Sequence, residues 1–305
     1  MFNWKNIGIC VALFAFFGIS TAQVNLLNAK LPSEIQEKSQ AKIDADNDRP
    51  LPYGYVDERD VLWQTEVWEV IDLNERVNFP LLYPIHPEDM SDYRKSLYNV
   101  LIENIKSGKI TEVYADSYFT KKKTYDEIKH SLMSVDTLDA GYELLNAGEQ
   151  ITEEYITKRE ISPEDILQYR IRGLWYFDKR QGELKYRLLG IAPVATDVSM
   201  LGDLDMAQGE EVSNAQVELF WVWYPSVRDI LHEAKTFNRK NSARPLSFDH
   251  LLNSRMFSSV IYKEDNVQGD RPIKDYIHDN SLFQLLESDR IREKIRDREQ
   301  DMWAN

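Results

Sequence analysis

The chain has 305 residues, 43% of them hydrophobic and 29% charged, a composition that suits one large or two modest folded domains and excludes wholesale disorder. Its formal charge of −14 excludes an overall electrostatic grip on nucleic acid or an anionic membrane and leaves a protein partner open.

Residues 1–22 predict a secretory signal peptide. Lys5 supplies the positive start, Ile7 to Ile19 the apolar run, and Ser20, Thr21 and Ala22 the small residues before a cut at Gln23. The sole cysteine, Cys10, lies inside that segment and lacks a lipoprotein context, so the expected mature chain has neither disulfide nor lipid of its own. No later apolar run is long enough to span a bilayer. Gln23 to Asp48 is polar and reads as a flexible linker. Its DADND run resembles a calcium loop only in part: Arg49 replaces the loop glycine and Tyr55 the closing glutamate.

Pro50 and Pro52 predict a stiff, extended arm over Arg49, Pro50, Leu51, Pro52 and Tyr53. Asp57 can then cap a helix in which Trp63, Val67, Val70 and Ile71 share a face. A strand reading also lines up Val61, Trp63, Thr65, Val67 and Ile71. It places the acid Glu69 among them and Trp68 on the opposite face, so helix is preferred. Pro80 and Pro84 bracket an apolar segment that cannot be a central strand.

A helix is expected over about Asp89 to Ser107, with Tyr93, Leu97, Val100, Leu101 and Ile105 as its stripe and Gly108 as its stop. Ile110 to Tyr114 reads as strand, and Thr124 to Ser131 as a short helix opened by the Thr124–Glu127 capping box. Gly141 to Thr157 reads as an excursion from the core. Ser162-Pro163-Glu164-Asp165 is a strong helix start. Two alternating strands follow, Tyr169 to Phe177 and Leu184 to Leu188, joined by the DKRQG hairpin. Thr196 to Ser213 reads as loop and Val217 to Tyr224 as a central strand ended by Pro225. Val227 to Ala234 is an amphipathic helix and Arg239 to Pro245 a basic loop. Phe248 to Asn253 is helical, and Met256 to Tyr262 is the last strand.

Ser281 to Trp303 predicts a charged terminal helix. Leu282, Leu285 and Leu286 are expected to dock on the core. Ile291, Ile295, Met302 and Trp303 form a thin apolar line that we expect to meet another subunit, and the Asp289–Arg292 and Glu293–Arg296 pairs support the helix. The order of elements predicts an α+β fold: a mainly antiparallel sheet with flanking helices, an extended N-terminal arm and a charged C-terminal helix. The expected organisation is signal peptide 1–22, linker 23–48, core with arm 49–265, and C-terminal arm and helix 266–305.

The run RPLPYGYVDERDVLW…VWEVIDLNERVNFPLLYP resembles the GldN/PorN family of gliding-motility and type IX secretion proteins of Bacteroidetes, and the similarity extends from about Arg49 to the end of the chain. The resemblance implies a non-catalytic subunit of a periplasmic ring, attached to the outer membrane through a lipoprotein of the GldK/PorK type and touching the periplasmic part of the GldL–GldM motor complex. It implies a ring-forming oligomer, with no cofactor and no nucleic acid. On the residues alone, Arg49 to Tyr53 are the first candidate contacts, because a preformed extended segment loses little entropy on docking.

The residues themselves carry no catalytic constellation. The histidines, His86, His130, His232, His250 and His278, lack metal-ligand spacing, and there is no nucleophile elbow, phosphate loop or dinucleotide motif. Asp203 and Asp205 form a D-x-D pair, but Gln208 stands where a calcium loop needs glycine. No metal or cofactor is expected. Two alternatives stay open: a periplasmic glycoside hydrolase with paired carboxylates, or a carbohydrate-binding module built on tryptophans. Trp63, Trp68, Trp175, Trp221 and Trp223 read mostly as core. Arg170, Arg172, Lys185 and Arg187 read as a sheet face paired with local acids.

Overall fold

The computed structural model describes residues 49–86, 94–137, 156–198, 216–241, 245–278 and 280–304. The signal peptide, the linker, most of the 141–157 excursion and most of the 196–213 loop lie outside the described residues.

Asp57 does cap, accepting from the Arg59 N–H at 3.1 Å, but only a single 3-10 turn follows, Glu58–Asp60. The expected helix is instead strand β1, Val61–Asp72. The reason is tertiary. β1 has strand partners on both sides, which no local propensity reports. Both objections to the strand reading are answered by packing. Glu69 is buried and ion-paired to Arg255, and Trp68 is buried on the other face. Pro80 lies in a short helix α1, Phe79–Leu82.

Helix α2, Leu97–Lys106, opens where the Ser96 hydroxyl accepts from the Asn99 N–H at 3.3 Å. Gly108 ends it with a φ of 72°, a conformation that suits glycine. The expected start near Asp89 lies outside the described residues. Strand β2, Val113–Tyr114, is followed by α3, Tyr125–Leu132, with the expected capping box. Strands β3, Met133–Thr137, and β4, Ile156–Glu160, make a separate two-stranded sheet.

Ser162 to Asp165 form a capping box but again only a 3-10 turn, because the alternating sequence that follows commits to strand β5, Ile166–Asp178. A turn at Asp178–Gly182 leads to β6, Glu183–Thr196, so the predicted hairpin forms and is longer than expected. The expected central strand 217–224 is broken into β7, Gln216–Glu218, and β8, Trp221–Trp223. Leu219 and Phe220 both enter the main core, which consecutive residues of a regular strand cannot do. Tyr224 and Pro225 then begin helix α4, Tyr224–Glu233.

Strand β9, Lys235–Thr236, pairs with β10, Leu246–Ser247. Helix α5 is Phe248–Asn253, and β11 is Val260–Glu264, which begins later than expected. Helix α6, Ile273–Tyr276, precedes the long helix α7, Ser281–Ala304.

The main sheet is antiparallel, ordered β11-β1-β5-β6-β8-β2, with β7 also on β6. Helices α2, α3, α4 and α5 cover it through one large core that includes Leu101, Ile128, Ile171, Ile191, Phe220 and Phe248. A second cluster joins Val67 and Ile261 to α7, and a third joins Trp68, Ala192 and Trp221. The α+β expectation holds, and residues 49–305 form one compact unit.

Candidate interaction surfaces

The arm is pinned at one point. The Tyr53 ring lies 4.5 Å from the Arg187 guanidinium and 4.1 Å from that of Arg228. Arg228 donates to the Leu51 carbonyl at 2.7 Å, and Arg187 to that of Gly54 at 3.3 Å. Arg228 is itself held by the buried Asp249 at 2.9 Å, which also accepts from the Tyr224 hydroxyl and the Asn253 amide, each at 2.8 Å. Burial pushes the Tyr53 phenol up from its ordinary range. Tyr53, expected as a partner contact, is therefore used within the chain. Arg49 and Pro52 are exposed, Pro50 is half-buried and Leu51 is 79% exposed.

Helix α7 reverses the expected roles of its apolar residues. Ile291 and Ile295, read as partner contacts, are buried against Val67, Ile261 and Ile273 of the same chain. Leu282, Leu285 and Leu286, expected to dock on the core, are 62%, 45% and 53% exposed, and Phe283 is exposed beside them. The cause is where the helix crosses the sheet. Its middle meets edge strand β11: Ser288 Oγ accepts from the Ile261 N–H at 2.9 Å, and Arg292 donates to the Ser259 carbonyl at 2.9 Å. The helix thus caps backbone groups that an open edge would present. Met302 is half-buried, and the side chain of Trp303 lies outside the described residues. Asp289–Arg292 and Glu293–Arg296 pair as expected, at 2.9 and 3.7 Å.

The basic residues of the sheet are paired. Arg170 meets Glu218, Arg172 meets Glu66, and Lys185 meets Asp178 at 3.2 Å. Arg187 serves the arm instead. Trp68 and Trp221 are buried, while Trp63, Trp175 and Trp223 are half-buried. Arg172 stacks over Trp68, Tyr118 and Phe119 at 5.1 to 5.5 Å.

A cleft of about 1,020 Å³ opens beside α1, lined by Arg76, Phe79, Pro80, Tyr83, Pro84, Ile85, His86, Arg94, Phe237 and Arg239. Among the described residues that line it, none is an aspartate or glutamate. Asn78, fully buried, fixes the approach to α1: its amide donates to the Asp72 and Ser258 carbonyls at 2.7 and 3.0 Å and accepts from the Ser258 N–H at 2.9 Å. The Thr236 hydroxyl donates to the Pro80 carbonyl.

These surfaces belong to a chain whose residues 56–304 match the sequence profile of GldN, described as gliding motility associated protein GldN. The chain belongs to the GldN family. Among curated proteins, none matches it. The GldN match runs from just after the pinned Tyr53 to the end of α7, so sheet, helices and cleft all lie within it. The resemblance in the arm-to-Pro84 stretch is thereby borne out at the level of family.

In this GldN chain the sequence reading missed two features. Neither the use of Arg187 and Arg228 to clasp Tyr53 nor the gathering of Arg76, Arg94 and Arg239 has a local signature. Tyr53 stands more than a hundred positions from both of its arginines, and Arg239 more than a hundred from Arg76 and Arg94.

Proposed function

We propose that this member of the GldN family is a non-catalytic structural subunit of the type IX secretion and gliding machinery. It works in the periplasm beneath the outer membrane, forms a ring with an outer-membrane lipoprotein of the GldK/PorK type, and contacts the periplasmic part of the GldL–GldM motor complex. The observation that carries this reading is the family match across residues 56–304. Two surface features fit it. The exposed Leu282, Phe283, Leu285 and Leu286 lie together near the start of α7, and the arm offers Leu51 to solvent. Among the described residues, no helix is long and apolar enough to cross a membrane, which fits attachment through a partner.

The test is purification of the tagged, exported protein from membranes under mild detergent, followed by mass spectrometry and particle imaging. The expected result is a ring-shaped particle that contains a membrane-anchored lipoprotein, with the charge-introducing pair Leu282→Glu and Leu286→Glu releasing this chain. A lone, monomeric protein in every preparation overturns the reading.

A further inference from the structure

We propose that the clasp around Tyr53 is a recognition site for a tyrosine in an extended segment, and that in the assembled state it takes the arm of a second copy of this chain. The inference deepens the assembly reading above and rests on it only for the presence of a neighbouring copy.

The clasp is built by the core and not by the arm. Asp249, 4% exposed, holds the Arg228 guanidinium through two bonds, at 2.9 and 3.2 Å, and is itself fixed by the Tyr224 hydroxyl and the Asn253 amide. Arg187 approaches from β6 and also stacks on Tyr176, 5.6 Å from its ring. A site whose charged groups are held in place by other residues loses little freedom when a ligand enters. What it reads is short. The two guanidiniums take the faces of one ring, and their N–H groups take the Leu51 and Gly54 carbonyls. The Tyr53 hydroxyl donates to Asn253 Oδ1 at 3.5 Å. Four residues, Leu51 to Gly54, therefore carry these contacts, and every copy of the chain presents them.

The arm is also free to leave. Pro52 and Tyr55 are exposed, an added Cβ at Gly54 would meet no atom within 4 Å, and Leu51 is 79% exposed even with the clasp filled. Release therefore uncovers one half-buried ring and no part of the main core. Exchange conserves the contacts, since the same ring and carbonyls enter the same clasp from either source, and swapping an identical element is a low-cost way to join copies. Pro50 and Pro52 keep the arm extended in both states. Copies held side by side supply each other's arms at high local concentration, and docking against a neighbour gives Leu51 a surface to cover it.

The first experiment asks whether the clasp is a site. The full chain carrying Tyr53→Ala is titrated with a fluorescein-labelled peptide of residues 49–56, and fluorescence anisotropy is read. Binding should saturate. A twin peptide with alanine in place of tyrosine should bind at least about tenfold more weakly, and so should the parent peptide to the wild-type chain, whose own arm competes. Adding Arg187→Ala should cost about tenfold and Arg187→Lys less, with the urea midpoint unchanged in both. Equal affinity for the two peptides, no saturable binding, or indifference to Arg187 overturns the proposal.

The second experiment asks whose arm is bound. The full chain carrying Tyr53→p-benzoylphenylalanine is irradiated in the exporting cells and resolved on a denaturing gel. The expected product has twice the mass of the chain, and its cross-linked peptides contain Arg187 or Arg228. Absence of a dimer-mass product, or a dimer whose link maps elsewhere, overturns the proposal. The two readings fail separately. A ring particle with only intrachain links sinks arm exchange alone, whereas dimer-mass links without a co-purifying lipoprotein sink the ring with its lipoprotein and leave arm exchange standing.

Discussion

Glu69 is an acid placed inside the sheet, 1% exposed, and its neighbours explain why it is tolerated. Arg255 grips it with two hydrogen bonds, at 3.0 and 2.7 Å, and the guanidinium is stacked 4.2 Å from the Tyr186 ring. Tyr186 in turn covers Gly173, where an added Cβ would sit 2.1 Å from its hydroxyl. Such a set is costly to break from one side, because the remaining charge stays in a poor solvent. Glu69→Ala should therefore lower stability by about 3 kcal/mol, the low end for a buried pair since Arg255 retains some contact with water. Urea denaturation checks this. A second residue sets an acid limit. Burial raises the Asp178 carboxyl, but the Lys185 ammonium and the N–H groups of Arg180 and Gln181 outweigh it, and the net position is below the usual carboxylate range. A group depressed on folding contributes stability above its unfolded value, about 3.9, and loses that contribution as pH falls through the folded value. The urea midpoint should thus drop on acidification below about pH 4, and Asp178→Asn should flatten that slope. Neither residue announced its role in the sequence. Glu69 counted there as evidence against a strand, since the arginine that neutralises it stands 186 positions away.

Elements were legible where the signal was local and obscure where it was not. The capping box before α3, the Asp178–Gly182 hairpin and the stripe of α2 are written within a few residues, and all three formed. The segment 61–72 fits helical and strand periods alike. Its fate was decided by β5 and β11, which arrive from distant parts of the chain. Helix α7 shows the same limit in another form. Its periodicity identified a helix but not which turn would touch the body. The two isoleucines were assigned to a partner because Leu282, Leu285 and Leu286, nearer its start, form the denser apolar cluster. That makes a definite prediction at this scale. Ser288→Ala leaves the buried Ile261 N–H without an acceptor and should cost about 1–3 kcal/mol. Ile291→Ala should cost about 2–5 kcal/mol. Deletion of residues 290–305 should lower the melting temperature by calorimetry before it reports on any contact with another molecule. If it leaves melting unchanged, the packing of α7 described above is wrong.

For the molecule as a whole, the arm and the long helix stand in different relations to the core. The helix is part of it, whereas the arm is fastened by the Tyr53 ring between two guanidiniums and by the bonds those guanidiniums donate to the Leu51 and Gly54 carbonyls. Tyr53→Ala should free the arm, raising proteolytic cleavage and hydrogen exchange over residues 49–56 while core melting shifts little. Replacing Pro50 and Pro52 by glycine should weaken assembly and leave core folding intact. Equal loss of both would place the arm among the folding determinants. The neighbours in the sheet also dictate a timetable. The earliest described strand of the sheet is completed by the latest one, and α7 packs over the pair. Pairings so remote along the chain form slowly, because a long loop must close before any contact rewards it. A product halted short of residue 295 leaves Val67 and its neighbours bare, and such a fragment is a substrate for proteases rather than a working part.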